Sequence, residues 1–239
     1  MKILALESSA TAASVAICQD EALIAQTFQH TGLTHSQTLL PMVQQILAAC
    51  QLSLSDIDLI AVAAGPGSFT GLRIGVSAAK GLAWAWDIPC TACSTLESMA
   101  WNAVGHRGEI CAAMDARRSQ VYNARFLSNG ETITRITEDR AISLADLAAE
   151  LAEQSPENGT EKLVVGDGAL LCYNELKNQG ISLQLAPPNL RMQSVFGVAR
   201  LGLELSRRGE AISGGSLVPT YLRLSQAERE RQERENQET

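Results

Sequence analysis

The residues best placed to do chemistry lie in one stretch, AVAAGPGSFTGLRIGVSAAKGLAW at 61–84. Five glycines, serine and threonine hydroxyls and a lysine follow an apolar run there, the layout of a phosphate cradle. The spacing excludes the common cradles. A Walker loop needs lysine directly after its last glycine, but Lys80 comes nine residues after Gly71. A dinucleotide fingerprint needs a third glycine where Thr70 stands. A nucleophile elbow needs glycines two residues to either side of its serine, and Ser68 has Pro66 and Thr70.

What remains is a strand at 57–64, a Gly65-Pro66-Gly67 turn and a helix at 70–86, with Ser68 or Thr70 as its cap. A helix N-terminus attracts anions through its free N–H groups, so Gly65, Gly67 and Ser68 stand as a candidate anion contact beside the plainer reading of a turn. Along the helix, Gly71, Gly75, Ala79 and Ala83 recur every four residues and leave one face nearly bare. Each interior glycine costs about 1 kcal/mol relative to alanine, so close approach of another backbone is the physical reason for it. That backbone belongs either to the chain's own sheet or to a helix of a second chain.

Other chemistry is thin. His30, His35 and His106 have no ligand company in sequence. Cys90 and Cys93 form a C-x-x-C without a second pair, and the six cysteines are spread through apolar segments as buried thiols would be. The net charge of −7 and the aromatic content of 4% argue against direct binding of nucleic acid, which needs cations for phosphate and rings for stacking. No stretch approaches the apolar run of about 20 residues that a membrane span requires. MKILALESS reads as a strand and not as a signal peptide, because Glu7 interrupts its short apolar run. A cytoplasmic protein is the expectation.

The elements that must position these groups fall into two similar series. Strands at 2–7, 14–18 and 22–28 precede a helix at 36–50, whose Leu39, Leu40, Val43, Ile46 and Leu47 keep the helical period. The strand 57–64, the small-faced helix, a strand at 88–93 and a helix at 94–103 follow. After a polar break at 104–109, strands at 109–115, 120–127 and 131–138 lead to a helix at 143–154, the strand in KLVVGDG and a helix at 169–179. The order β-β-β-α-β-α thus occurs twice, which divides the chain into 1–104 and 105–225. The last helix, at 194–208, is placed in the second unit and is expected to pack back toward the first. The charged tail 226–239 is expected to be disordered.

ILALESSATAASVAI at 3–17, HSQTLLPMVQQIL at 35–47, GPGSFTGLR at 65–73 and MDARRSQVY at 114–122 carry a resemblance, with VGDG and PTYLR arriving later in the same order. The chain resembles the TsaB (YeaZ) family, paralogues of the threonylcarbamoyl transferase TsaD. The resemblance implies an α/β protein of the actin-like ATPase (ASKHA) fold, with two RNase-H-like subdomains of mixed sheet flanked by helices. It also implies a degenerate version of that fold's site. TsaD-type enzymes hold a metal with an H-x-E-x-H-like helix motif, whereas this chain has His35-Ser36-Gln37 and no second histidine. Gln37 also departs from the HSE that many TsaB sequences carry. Actin-like ATPases hold metal and phosphate with an acidic residue and a glycine-rich hairpin after the first strand. Here Glu7, Ser8, Ser9 and Thr11 provide a carboxylate and hydroxyls without glycine.

The family therefore implies a partner without a catalytic residue or metal of its own, acting with TsaD beside the anticodon of tRNA. TsaE joins a ternary complex, and TsaC supplies the threonylcarbamoyl-adenylate. No cofactor is expected for the chain alone; weak ADP or ATP binding within the complex is compatible with Glu7, Ser8, Ser9, Gly65, Gly67 and Ser68. The interface with TsaD, and with a second copy when the chain is isolated, is placed on Leu39, Met42, Val43, Ile46, Gly71, Arg73, Ile74, Gly75, Ala78 and Ala79. The rivals are a metal-dependent glycoprotease-like peptidase and a small-molecule kinase of the same fold. The first lacks an acidic partner for His35, and the second lacks a phosphate hairpin.

Overall fold

The computed structural model describes residues 1–153 and 161–223. The linker at 154–160 and the charged tail, whose disorder the sequence suggested, lie outside the described residues. Strands β1 (Lys2–Glu7), β2 (Ala13–Gln19) and β3 (Ala22–Gln29) form an antiparallel meander. Helix α1 (His35–Ala49), strand β4 (Leu59–Gly65), helix α2 (Phe69–Trp84), strand β5 (Cys90–Ser94) and helix α3 (Thr95–Asn102) complete the first series. β4 and β5 add to β1 in parallel, giving the sheet order β3-β2-β1-β4-β5.

The second series repeats this plan. It runs β6 (Arg107–Asp115), β7 (Gln120–Asn129), β8 (Ile133–Arg135), β9 (Arg140–Ser143), α4 (Leu144–Glu153), β10 (Lys162–Val165), α5 (Ala169–Asn178), β11 (Gln184–Leu185), α6 (Pro188–Arg191) and α7 (Val195–Arg207). Its sheet order, β11-β10-β6-β7-β8, is the first order read backwards, with β9 pairing the other half of β7. The strand expected at 131–138 is shorter, Ile133–Arg135, and a further strand, β9, follows beyond it. Between them the Ile136 and Thr137 amides still donate to Arg125 O of β7, while Arg135 pairs with Glu97 of α3 at 2.6 Å and Ser94 donates to Asp139 at 2.6 Å.

Alternation along the strands builds the core on both faces of each sheet. Leu4 and Leu6 of β1 pack with Leu39, Met42, Val43 and Ile46 of α1 and Val76 of α2. Ile3 and Ala5 face the other way, onto Val195, Val198 and Leu201 of α7. The second sheet packs Ile110 and Met114 against α3 and packs Cys111 and Ala113 against α4 and α5. Among the polar groups buried there is Arg125 on β7, held by Glu109 at 2.6 Å and Glu150 at 2.5 Å.

As expected, α7 packs back toward the first unit, and the chain after it follows. Residues from α7 to the last described one return to the first sheet. Ile212 bridges Cys90, Leu217 is fully buried among α1 and α2 residues, and the Thr220 amide donates to Ala64 O at 2.7 Å. Main-chain hydrogen bonds make much of this return, and they carry no side-chain pattern for the sequence to display.

Candidate functional site

The loops at the ends of β1, β4, β6 and β10 enclose a cleft of about 410 Å³. Ser9, Ala10 and Thr11 come from the β1–β2 loop, and Gly67, Ser68 and Phe69 from the start of α2. Asp115, Ala116 and Arg117 come from the β6–β7 loop, Asp167 follows β10, and Tyr221, Leu222 and Arg223 cross the mouth.

The glycine turn is filled by the chain itself. Gly65, at φ +135°, leaves room for the Thr220 carbonyl, which any side chain there would strike. A Cβ at Gly67 would lie 2.5 Å from Ser9 O. The Ser68 amide donates to that same oxygen at 2.7 Å, and the Ser68 hydroxyl caps α2 by accepting from Gly71 N at 3.3 Å. One donor of the expected anion contact, the Ser68 amide, is thus already occupied, as is the Gly71 amide beside it.

The bare face of α2 also turns inward, which corrects its placement on a partner surface. A Cβ at Gly71 would overlap the Ser8 carbonyl, and one at Gly75 would overlap Ser8 Oγ and reach Val62 at 3.6 Å. Ala79 is fully buried. Leu39, Met42, Val43 and Ile46 are likewise core residues, 1–4% exposed. The 3.6-residue stripe that marked them as an interface is the stripe α1 lays on its own sheet. Of the expected interface, Arg73 is exposed and Ile74 and Ala78 are half-buried. These three, with His35, Ser36, Leu39, Leu40 and Ser77, line a mostly apolar groove of about 430 Å³ between α1 and α2. Leu40, 45% exposed, stands at its edge.

Two acidic groups lie at and behind the cleft, Asp167 half-buried in its lining and Glu7 buried behind Ser9. Burial pushes the Glu7 carboxyl up to about 7, against hydrogen bonds from Ser9, and the Asp167 charge adds to the rise. Ser9 N donates to Glu7 Oε1 at 2.5 Å. Burial also raises Asp167, whose Oδ1 accepts from Gln193 Nε2 at 2.8 Å. A phosphate in the cleft would meet the Asp115 and Asp167 carboxyls as well as Arg117 and Arg223, while Glu7 lies buried behind Ser9. Among the described residues no three histidine, cysteine or acidic side chains group to hold a metal ion. His35 lies at the first turn of α1 with Nε2 2.7 Å from Ala10 O, so the ring N–H donates to main chain. Gln37 points to solvent. Cys90 and Cys93 are buried on β5, and burial pushes their thiols up to about 11 and 12, out of the reactive range.

Sequence reasoning missed Asp115, Arg117, Asp167, Tyr221 and Arg223 as cleft residues. The Gly166-Asp167-Gly168 turn after an apolar strand was the available signal for one of them. Tyr221 and Arg223 had none, because their place depends on the return of the chain to the first sheet.

Comparison with known proteins agrees with this geometry. Residues 29–182 match the sequence model of the family described as TsaD: tRNA N6-adenosine threonylcarbamoyltransferase. The tRNA threonylcarbamoyladenosine biosynthesis protein TsaB of Bacillus subtilis is 34% identical over 95% of this chain and 96% of its own. The protein of the same name from Escherichia coli is 32% identical over 93% and 95%. The solved structure of YeaZ from Pseudomonas aeruginosa superposes with a TM-score of 0.77 at 26% identity, covering 92% of this chain and 99% of that one. A ROK family protein from Streptococcus pneumoniae, 10% identical with a TM-score of 0.51 over 87% of this chain and all of its own, shares the fold alone. Two mixed sheets of matching order, flanked by helices and closed around a cleft, are the actin-like ATPase fold. With identity above 30% along nearly the whole chain, this protein belongs to the TsaB family.

Proposed function

We propose that the chain is a non-catalytic partner of TsaD in the formation of threonylcarbamoyladenosine in tRNA, and that it docks through the groove between α1 and α2. The groove is the observation that carries this reading. It is an open apolar channel edged by Leu40 and Ile74 on two packed helices, the form in which helical partners are received. His35 supports the non-catalytic half of the reading. It opens α1, its ring is tied to Ala10 O, and among the described residues it belongs to no group of three ligand side chains. TsaE as a further component, TsaC as the source of the activated group, self-pairing through the same groove and weak nucleotide binding in the complex belong to the same reading. Recognition of tRNA then falls to the partner, since the chain carries a net charge of −7.

The test is reconstitution. The purified chain with ATP, magnesium, bicarbonate, threonine and tRNA should form no modified adenosine. Addition of TsaD, TsaE and TsaC should restore it, and omission of this chain from the full mixture should abolish it. Turnover by the chain alone, or undiminished turnover without it, would overturn the proposal.

A further inference from the structure

Two side chains of the groove touch residues that line the cleft. His35 lines the groove, and its ring donates to Ala10 O on the cleft wall. Arg73 also lines the groove, but its guanidinium faces the last described segment of the chain. It lies 3.9 Å from the centre of the Phe69 ring, and its Nε donates to Tyr221 Oη at 3.2 Å. Tyr221 stacks on Phe69 with ring centres 4.4 Å apart. Two residues on, Arg223 Nη1 donates to Ala116 O at 2.7 Å, in the β6–β7 loop of the second sheet. Residues 217–223 thus form a strap across the mouth of the cleft. It is anchored on the first sheet by Leu217 and Thr220, on α2 by Tyr221 and on the second sheet by Arg223.

Arg73 is exposed and makes no ion pair among the described residues. A full positive charge at the edge of an apolar groove calls for a carboxylate on whatever fills the groove. Binding such a group would draw the guanidinium off Phe69 and Tyr221. We propose that Arg73 is a switch: an occupant that presents a carboxylate at the edge of the groove captures it and frees the strap, so that docking on α1 and α2 opens the cleft. The inference rests on the reading of the groove as the TsaD docking surface. The bistable element is the strap, docked on Phe69 or released, and the differential contact is the one Arg73 makes in each state.

Hydrogen exchange of the strap peptide, which contains the Thr220 amide, tests the switch. In the free chain, Arg73→Gln should raise exchange of that peptide roughly three- to tenfold through loss of the ring contact and the hydrogen bond. Tyr221→Phe, which keeps the stack, should raise it less. Exchange in β6 and β7 should not change in either variant. Unchanged strap exchange in Arg73→Gln would overturn the inference. Addition of TsaD to the wild-type chain should then raise strap exchange toward the Arg73→Gln level. A complex that forms with the strap as protected as in the free chain would overturn the switch and leave the docking reading standing. Failure to form a complex in size-exclusion chromatography would instead overturn the docking reading, and the occupant assigned to Arg73 with it.

Discussion

Gly71 and Gly81 sit on the same helix and face opposite surroundings, so one substitution at both positions separates packing from propensity. A methyl group at Gly71 would overlap the main-chain carbonyl of Ser8, and no rotamer change can relieve that. The Ser8–Ser9 loop cannot retreat easily, because Ser9 O holds the Ser68 amide and Ser8 Oγ donates to Gly71 O at 2.9 Å. Overpacking of this kind costs about 1–3 kcal/mol, and a backbone obstacle puts Gly71→Ala at the upper end. Alanine returns up to about 1 kcal/mol of helix propensity. The net loss is about 2 kcal/mol, which lowers Tm by roughly 4–8 °C in a chain of this size. Gly81 has nothing within 4 Å of its would-be Cβ. Gly81→Ala should therefore keep the propensity gain, for a Tm about 2–4 °C above wild type or, at so late a helix position, no lower than wild type. Thermal and urea unfolding of the two variants is the assay. A Gly71→Ala protein as stable as Gly81→Ala would refute the assignment of this face to the chain's own core.

Three further outcomes follow from the described contacts. Glu7 titrates near 7 when folded against a reference of 4.5, so between these values the folded state holds a proton that the unfolded state has lost, and stability falls as pH rises through the window. The decline attributable to this group is about 3 kcal/mol, so urea denaturation from pH 4.5 to 7.5 should show Glu7→Gln gaining on wild type by that order. Arg125→Leu should cost about 3–5 kcal/mol in the same assay, because it leaves the buried Glu109 carboxylate without its partner at 2.6 Å. The free chain should not bind tRNA at physiological salt, where a micromolar Kd by anisotropy would contradict a reading built on net acidity.

The sequence displayed most of the architecture and little of the site, for one physical reason. Hydrophobic period marks which face of an element is buried, and that was enough to place β1 to β3, α1, α2 and the repeated order of elements. It says nothing of what the face is buried against. The α1 stripe of Leu39, Met42, Val43 and Ile46 and the α2 stripe of Gly71, Gly75 and Ala79 were assigned to a partner, yet both lie on their own sheet. The groove that remains open is lined by Leu40, Ser77 and the three members of the expected interface that are not buried, Arg73, Ile74 and Ala78. Short strands such as β9 and β11 escaped notice because four and two residues cannot establish an alternation. The strap escaped because Thr220 and Arg223 hold it through main-chain atoms of distant segments. No helix among the described residues is long and apolar enough to cross a membrane.

The central claim is that the chain meets TsaD through the groove between α1 and α2. Leu40→Asp tests it most directly, since Leu40 is half exposed at the edge of the groove and outside both cores. Calorimetric titration of TsaD into wild-type and Leu40→Asp protein should show binding to the first and at least a tenfold weaker Kd for the second, because docking would bury an unpaired carboxylate. The variant should keep the Tm of the wild-type monomer. A folded Leu40→Asp protein that binds TsaD with wild-type affinity would contradict the account.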